Sequence, residues 1–181
     1  MITGVLYINI YIYKYMSEQM TPEKEFAELF DKMYKLCFDN GWGDPFNYAR
    51  AREIHMANYL QHKISSTLSG ADAIDEDGEA EYKSTISKDI KATYNGISKQ
   101  ENWDKQVEYL KNDKIGKYKN HYFSRYENGA IVEMYKMSCD KVLEEAERQL
   151  KKKFQKENLK DPRLGFNINK TYIKNNSERL L

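Results

Sequence analysis

Between Asp72 and Glu81 the chain places six acids in ten residues, and Lys83 follows as the next base. Carboxylates at this density do one of three things. They decorate a solvated turn, bind calcium, or hold a hard cation that works on a phosphate. A calcium loop needs oxygen ligands at positions 1, 3 and 5, glycine at 6 and glutamate at 12. With Gly78 at the glycine position, Ala73 and Ser84 fall where two anchoring ligands belong, which argues against that reading. A turn explains Asp75, Glu76, Asp77 and Gly78. It does not explain Asp72, or Glu81 and Lys83, which alternate with Ala80, Tyr82 and Ser84.

Pairing accounts for them. If Ile74 and Glu79 close a loop over Asp75–Gly78, Asp72 faces Glu81 across an antiparallel ladder. Facing Cβ atoms lie about 4.5–5.5 Å apart, and like charges there destabilise a hairpin unless something bridges them. A divalent cation taking one oxygen from each is such a bridge. Lys83, two residues on, shares that face, whereas Asp75 points the other way. A third acid comes from "YARAREIHMANYLQHKI", where Glu53 lies in the apolar stripe of Ala49, Met56, Ala57, Leu60 and Ile64. Either an Arg or Lys pairs with it, or it sits at the rim, or it points at the same site.

The elements that must position these residues are readable. "TPEKEFAELFDKMYKLCFDNG" is a helix capped by Thr21 and ended by Gly41, with Phe26, Leu29, Phe30, Met33 and Cys37 on one stripe. A second helix covers Asn47 to Lys63. Strands are expected at Leu68–Ile74, Glu79–Thr85 and Asp89–Tyr94, then a loop at "NGIS" and a helix over Trp103–Leu110. "KNHYFSRY" and "AIVEMYKM" form a hairpin around "ENG". Ser138 caps a helix reaching Phe154, followed by a turn, a strand and a frayed end. The class is α/β, a mixed sheet flanked by helices.

The 181 residues suffice for a single domain, 1–181, with its core at about 47–137 and a C-terminal helix and tail at 138–181. Residues 1–19 read either as a translated leader or as an edge strand. The net charge of +1 hides an uneven distribution: Lys83 to Arg125 carries ten basic against five acidic residues, and Arg148 to Leu181 ten against three. An anion-binding face is therefore compatible with near neutrality. Cys37 and Cys139 show neither metal spacing nor a disulfide framework, which favours a reducing, cytoplasmic setting without a membrane. His55, His62 and His121 are scattered and read as surface or structural. There is no phosphate-cradling glycine loop.

Asp72, then eight residues, then Glu81-Tyr82-Lys83, set on helix–strand–strand–strand–helix–strand from Asn47 to Tyr126, resembles the PD-(D/E)xK nuclease superfamily. "TYNGIS", "KIGKYKNHYFSRYENGAIVEMYKM" and "DPRLGF" resemble segments of small type II restriction endonucleases. The chain departs from the motif in having Ala71, not proline, before Asp72.

The resemblance implies a restriction-endonuclease-like αβββαβ core that hydrolyses DNA phosphodiesters with Mg²⁺, or Mn²⁺ as substitute. Asp72, Glu81 and the Tyr82 carbonyl would hold the metal, and Glu53 would complete its shell. Lys83 would position or deprotonate the attacking water. Lys88, Lys91, Lys99 and Arg125 are the expected phosphate contacts; Asn95, Ser98 and Gln100, and "FNINK" near the C-terminus, are the expected base readers. A symmetric homodimer on double-stranded DNA follows, each subunit cutting one strand. The alternatives are a structure-selective nuclease (junction resolvase or repair nuclease) and a non-catalytic DNA-binding domain.

Overall fold

The computed structural model describes residues 21–66, 70–155 and 163–181. The reading of residues 1–19 as leader or edge strand, and the start of the first predicted strand near Leu68, lie outside them. The chain divides into two compact units, Met1–Gly41 and Trp42–Leu181. In the first, helix α1 (Pro22–Asp39) begins as its sequence dictates. Thr21 accepts from the Lys24 N–H at 3.2 Å, and Pro22 occupies the first turn, where no N–H is needed. Phe26, Leu29, Phe30 and Met33 of its stripe are exposed, and Cys37 is buried.

The second unit is built on a six-stranded sheet. After helix α2 (Arg50–Leu60) come β1 (Lys63–Ile64), β2 (Ala73–Asp75), β3 (Gly78–Thr85) and β4 (Ala92–Ser98). Helix α3 (Trp103–Tyr109) runs on into a wider turn, Leu110–Lys114. β5 (Asn120–Glu127), β6 (Ala130–Ser138), helix α4 (Cys139–Phe154), β7 (Arg163–Ile168), helix α5 (Lys170–Asn176) and β8 (Glu178–Arg179) follow. The sheet order is β1-β2-β3-β5-β6-β8, and β3–β5 is its one parallel pair. The parallel pair exists because the chain leaves after β3, forms β4 and α3, and returns along β3; parallel neighbours need such a crossover. The architecture is thus mixed α/β, as the alternation of elements predicts.

Strand alternation gives the sheet two working faces. Ala80, Tyr82, Tyr122, Tyr126 and Met134 pack against Met56 and Ala57 of α2. Phe123, Tyr135 and Met137 face the larger core, with Tyr94, Ile97, Leu110, Leu150 and Phe166. Asn128 and Gly129, at φ 49° and 80°, make the tight β5–β6 turn that Asn-Gly favours.

Two expectations need correction. The third strand lies at Ala92–Ser98, not Asp89–Tyr94, and pairs with β7 in a separate two-stranded sheet. Asn95-Gly96 reads as a loop, yet Gly96 (φ 66°) takes up a bulge between Tyr94 and Ile97, and both flanking side chains are buried. Nor does the C-terminus fray. Ile173 of α5 is fully buried, and β8 pairs with β6. Among the described residues no helix is long and apolar enough to cross a membrane.

Candidate active site

The β2–β3 hairpin takes the register expected from the acids. Ala73 pairs with Ala80 and Ile74 with Glu79, and Asp75–Gly78 adds one more pair, so the turn is only Glu76-Asp77. Asp72 stands just before β2. Its N–H donates to the Ala80 carbonyl at 3.0 Å, and its Oδ2 accepts the Tyr82 N–H at 2.7 Å. The carboxylate thus substitutes for the ladder partner that β2 no longer supplies. Beyond Ala80 the edge of β3 away from β5 has no strand beside it among the described residues. In an extended chain a residue's N–H and C=O point to the same side, so the Tyr82 carbonyl opens on this edge with Asp72.

Charges gather there from three elements. Glu81 and Lys83 form an ion pair. Glu53 arrives from α2, paired with Arg50 at 3.3 Å. Arg50 is 1% exposed and is held by the Trp42 carbonyl at 2.7 Å and by the Ser65 carbonyl. A buried arginine fixed this way orients the carboxylate it carries. Glu53 is therefore both paired and near the cluster, since its charge reaches Asp72 and Lys83.

Burial, followed by the negative charges of Glu81 and Glu53, pushes the Asp72 carboxyl up to about 7; Lys83 and the Tyr82 N–H oppose the rise only in part. Burial works against the Lys83 ammonium, but Glu81, Asp72 and Glu53 outweigh it and raise its pKa above the ordinary lysine value. Lys83 is thus a fixed cation at neutral pH. Among the described residues no three His, Cys, Asp or Glu side chains form a ready metal-ligand group. Glu81 is paired with Lys83 and Glu53 with Arg50. The donor set nevertheless fits Mg²⁺, which takes one or two carboxylates with water and phosphate oxygens. Asp72 and Glu81 are hard donors, and Asp72 lacks a full countercharge.

The other acids have separate work. Asp75 Oδ2 accepts from Asn120 at 2.8 Å and from the Tyr122 hydroxyl at 2.9 Å, facing away from Asp72 as its register requires. Burial raises its pKa, but these hydrogen bonds outweigh it and leave the carboxyl below its usual range. Lys136 pairs with Glu76 at 2.9 Å and Asp77 at 3.6 Å. The acidic turn is a strut onto β5 and β6.

Tyr94 and His121 escape sequence reading. The Lys83 Nζ sits 5.2 Å from the centroid of the Tyr94 ring, a cation–π contact. The Tyr94 hydroxyl lies 2.9 Å from His121 Nδ1, and its ring stacks on Phe166 of β7 at 4.7 Å. Burial, then the Lys83 charge, drives His121 down to about 3, against the Ile115 carbonyl, so the imidazole that meets the tyrosine hydroxyl is neutral. No local pattern marks Tyr94, because its partners come from β3, β5 and β7. Tyr94→Phe keeps the ring but leaves a buried His121 nitrogen unpaired. It is expected to cost about 1–3 kcal/mol in chemical denaturation, with little change in the β-sheet circular dichroism.

The predicted DNA contacts scatter. Lys88 and Arg125 line one groove, but Arg125 is already held by Glu133 and Glu127, each at 3.0 Å. Lys91, Asn95 and Ser98 are exposed. The Lys99 ammonium rests over Phe154 at 5.0 Å, and the Gln100 N–H donates to Gln106 of α3 at 2.9 Å, so both serve the α3–α4 side. No family model matches the chain, and no curated protein matches it significantly.

Proposed function

We propose that this chain is a Mg²⁺-dependent endonuclease that hydrolyses phosphodiester bonds of double-stranded DNA at a specific sequence, on a restriction-endonuclease-like core. What supports this is the meeting of Asp72, Glu81 and Lys83 at the open edge of β3, with Glu53 within reach of their charges. Asp72, Glu81 and the Tyr82 carbonyl would hold the ion. When bound, Mg²⁺ supplies positive charge to the scissile phosphate and makes water a better nucleophile. Lys83, kept cationic by its acidic neighbours, orients that water and stabilises the charge that develops on phosphorus-bound oxygen. It is poorly suited to removing the proton itself, which sharpens the role expected from the resemblance. Arg50 holds Glu53 in place from behind. Tyr94 holds the Lys83 ammonium from below.

The test is supercoiled DNA incubated with Mg²⁺, with and without EDTA, followed by sequencing of the ends. Discrete fragments lost with EDTA and with Asp72→Ala or Lys83→Ala are expected. No cutting with any divalent cation overturns the proposal, and cutting confined to branched DNA replaces it with a structure-selective nuclease. A homodimer of the DNA-bound protein, measured by sedimentation, is the expected assembly.

A further inference from the structure

Beside the acidic cluster lies a groove of about 940 Å³ between α2, the segment after β3, and the β5–β6 turn. Arg52, His55, Lys88 and Arg125 bring basic nitrogen to its walls, and Ile86 adds an exposed apolar surface. The bases are not equivalent. Arg125 is spent on Glu133 and Glu127, the second of which also lines the groove. His55 Nδ1 is 3.1 Å from the Tyr126 hydroxyl. Arg52 and Lys88, by contrast, form no ion pair among the described residues, although the charge of Lys88 reaches the neighbouring Asp89, which is itself paired with Lys170. Arg52 is half-buried and anchored through Nε to Ser84 Oγ at 2.7 Å. That contact uses one edge of the guanidinium and leaves its terminal N–H groups unassigned, a fork suited to phosphate oxygens.

Arg52 immediately precedes Glu53 on α2, and its anchor Ser84 immediately follows Lys83 on β3. Ser84 points to the α2 face of β3, with Ala80 and Tyr82, whereas Glu81 and Lys83 point to the other, so the groove adjoins the acidic cluster along the chain, from the α2 side that also carries Glu53.

We propose that this groove is a phosphate-binding track in which Arg52 and Lys88 hold backbone phosphates of double-stranded DNA flanking the cut bond. It rests on the endonuclease reading for the identity of the strand. Phosphate contacts of this kind supply affinity and register without reading sequence. Arg52 is then the basic residue nearest the acidic cluster along the track, and Lys88 lies further along it.

The test measures binding of a short labelled duplex by fluorescence anisotropy in EDTA, across a range of salt concentrations. Each substitution removes about one phosphate contact, so Arg52→Gln and Lys88→Gln should each reduce the salt slope by about 0.9. The double variant should bind about 10–30-fold more weakly at moderate salt. Lys105→Gln, on α3 and paired with Glu108, should change neither. Lys88 is exposed, so its variant carries the test even if Arg52→Gln unfolds. Wild-type affinity and slope in the Lys88 and double variants, or no duplex binding by the wild type, or preference for RNA, would overturn the track. If the variants weaken binding yet no metal yields cutting, the track stands and the endonuclease reading falls. If the wild type and the double variant cut equally at limiting DNA, the reverse holds.

Discussion

Asp72→Asn is expected to raise the stability of the metal-free protein by about 2–4 kcal/mol at pH 8 while abolishing cleavage. The sign follows from linkage. Burial and the neighbouring charges of Glu81 and Glu53 lift the folded-state pKa of Asp72 to about 7, above the unfolded value of about 4. Between those values the folded state holds the proton more tightly, so stability falls as pH rises through the window. Each unit is worth about 1.4 kcal/mol, which sets a ceiling of about 4. Asparagine cannot ionise, yet its carbonyl oxygen can still accept the Tyr82 N–H. Below about pH 4 the two proteins should be alike in this respect. Denaturant titrations at several pH values measure the difference. Adding Mg²⁺ should stabilise the wild type and not the variant, narrowing the gap. A variant less stable than the wild type at pH 8 would mean that Asp72 is already compensated, and the case for a cation site would lose its main support.

Such a penalty is what a site pays to keep a charge ready for a ligand, and it explains which parts of this molecule were legible beforehand. The hairpin register was readable because two opposed constraints fix it: a short polar turn and the alternation of Ala80, Tyr82 and Ser84 with the charged face. Thr21 and Pro22, and Asn128-Gly129, are local signals with local causes, and both act as expected. Asn95-Gly96 carries the same kind of signal but sits in a bulge. Only the arrival of β7 distinguishes the two: Gly165 lies so close that a Cβ there would stand 2.9 Å from Asn95 Oδ1. The Tyr94–His121–Lys83 contacts fail for the same reason, as each depends on pairings tens of residues apart. Arg50 was hidden differently. A fully buried arginine on a short helix is unexpected, and it is tolerated because two carbonyls and Glu53 satisfy its guanidinium.

Lys83→Met should separate the two duties of that side chain. Methionine keeps much of the length and the contact with the Tyr94 ring but removes the charge. Without it, Glu81 is left beside Asp72 and Glu53, and Arg50, held on Glu53, is the cation that remains nearby. Breaking a fully buried pair costs about 3–5 kcal/mol. Here Lys83 and Glu81 are 25% and 14% exposed, so about 2–3 kcal/mol is the expected loss for the metal-free protein. Mg²⁺ should then restore stability and bind more tightly than to the wild type, because it no longer competes with an ammonium for Glu81. Cleavage should stay low with metal bound, reduced about 10²–10³-fold, since a positioned donor to the transition state is gone. Lys83→Arg completes the comparison. It keeps the charge and most of the stability but presents a planar fork where a compact ammonium stood, so its rate should also fall. Thermal melts with and without Mg²⁺, run beside single-turnover cleavage, read both quantities. If Lys83→Met loses stability that Mg²⁺ does not return, the carboxylates are held for the lysine alone. If it cuts at the wild-type rate, Lys83 has no part in the chemistry.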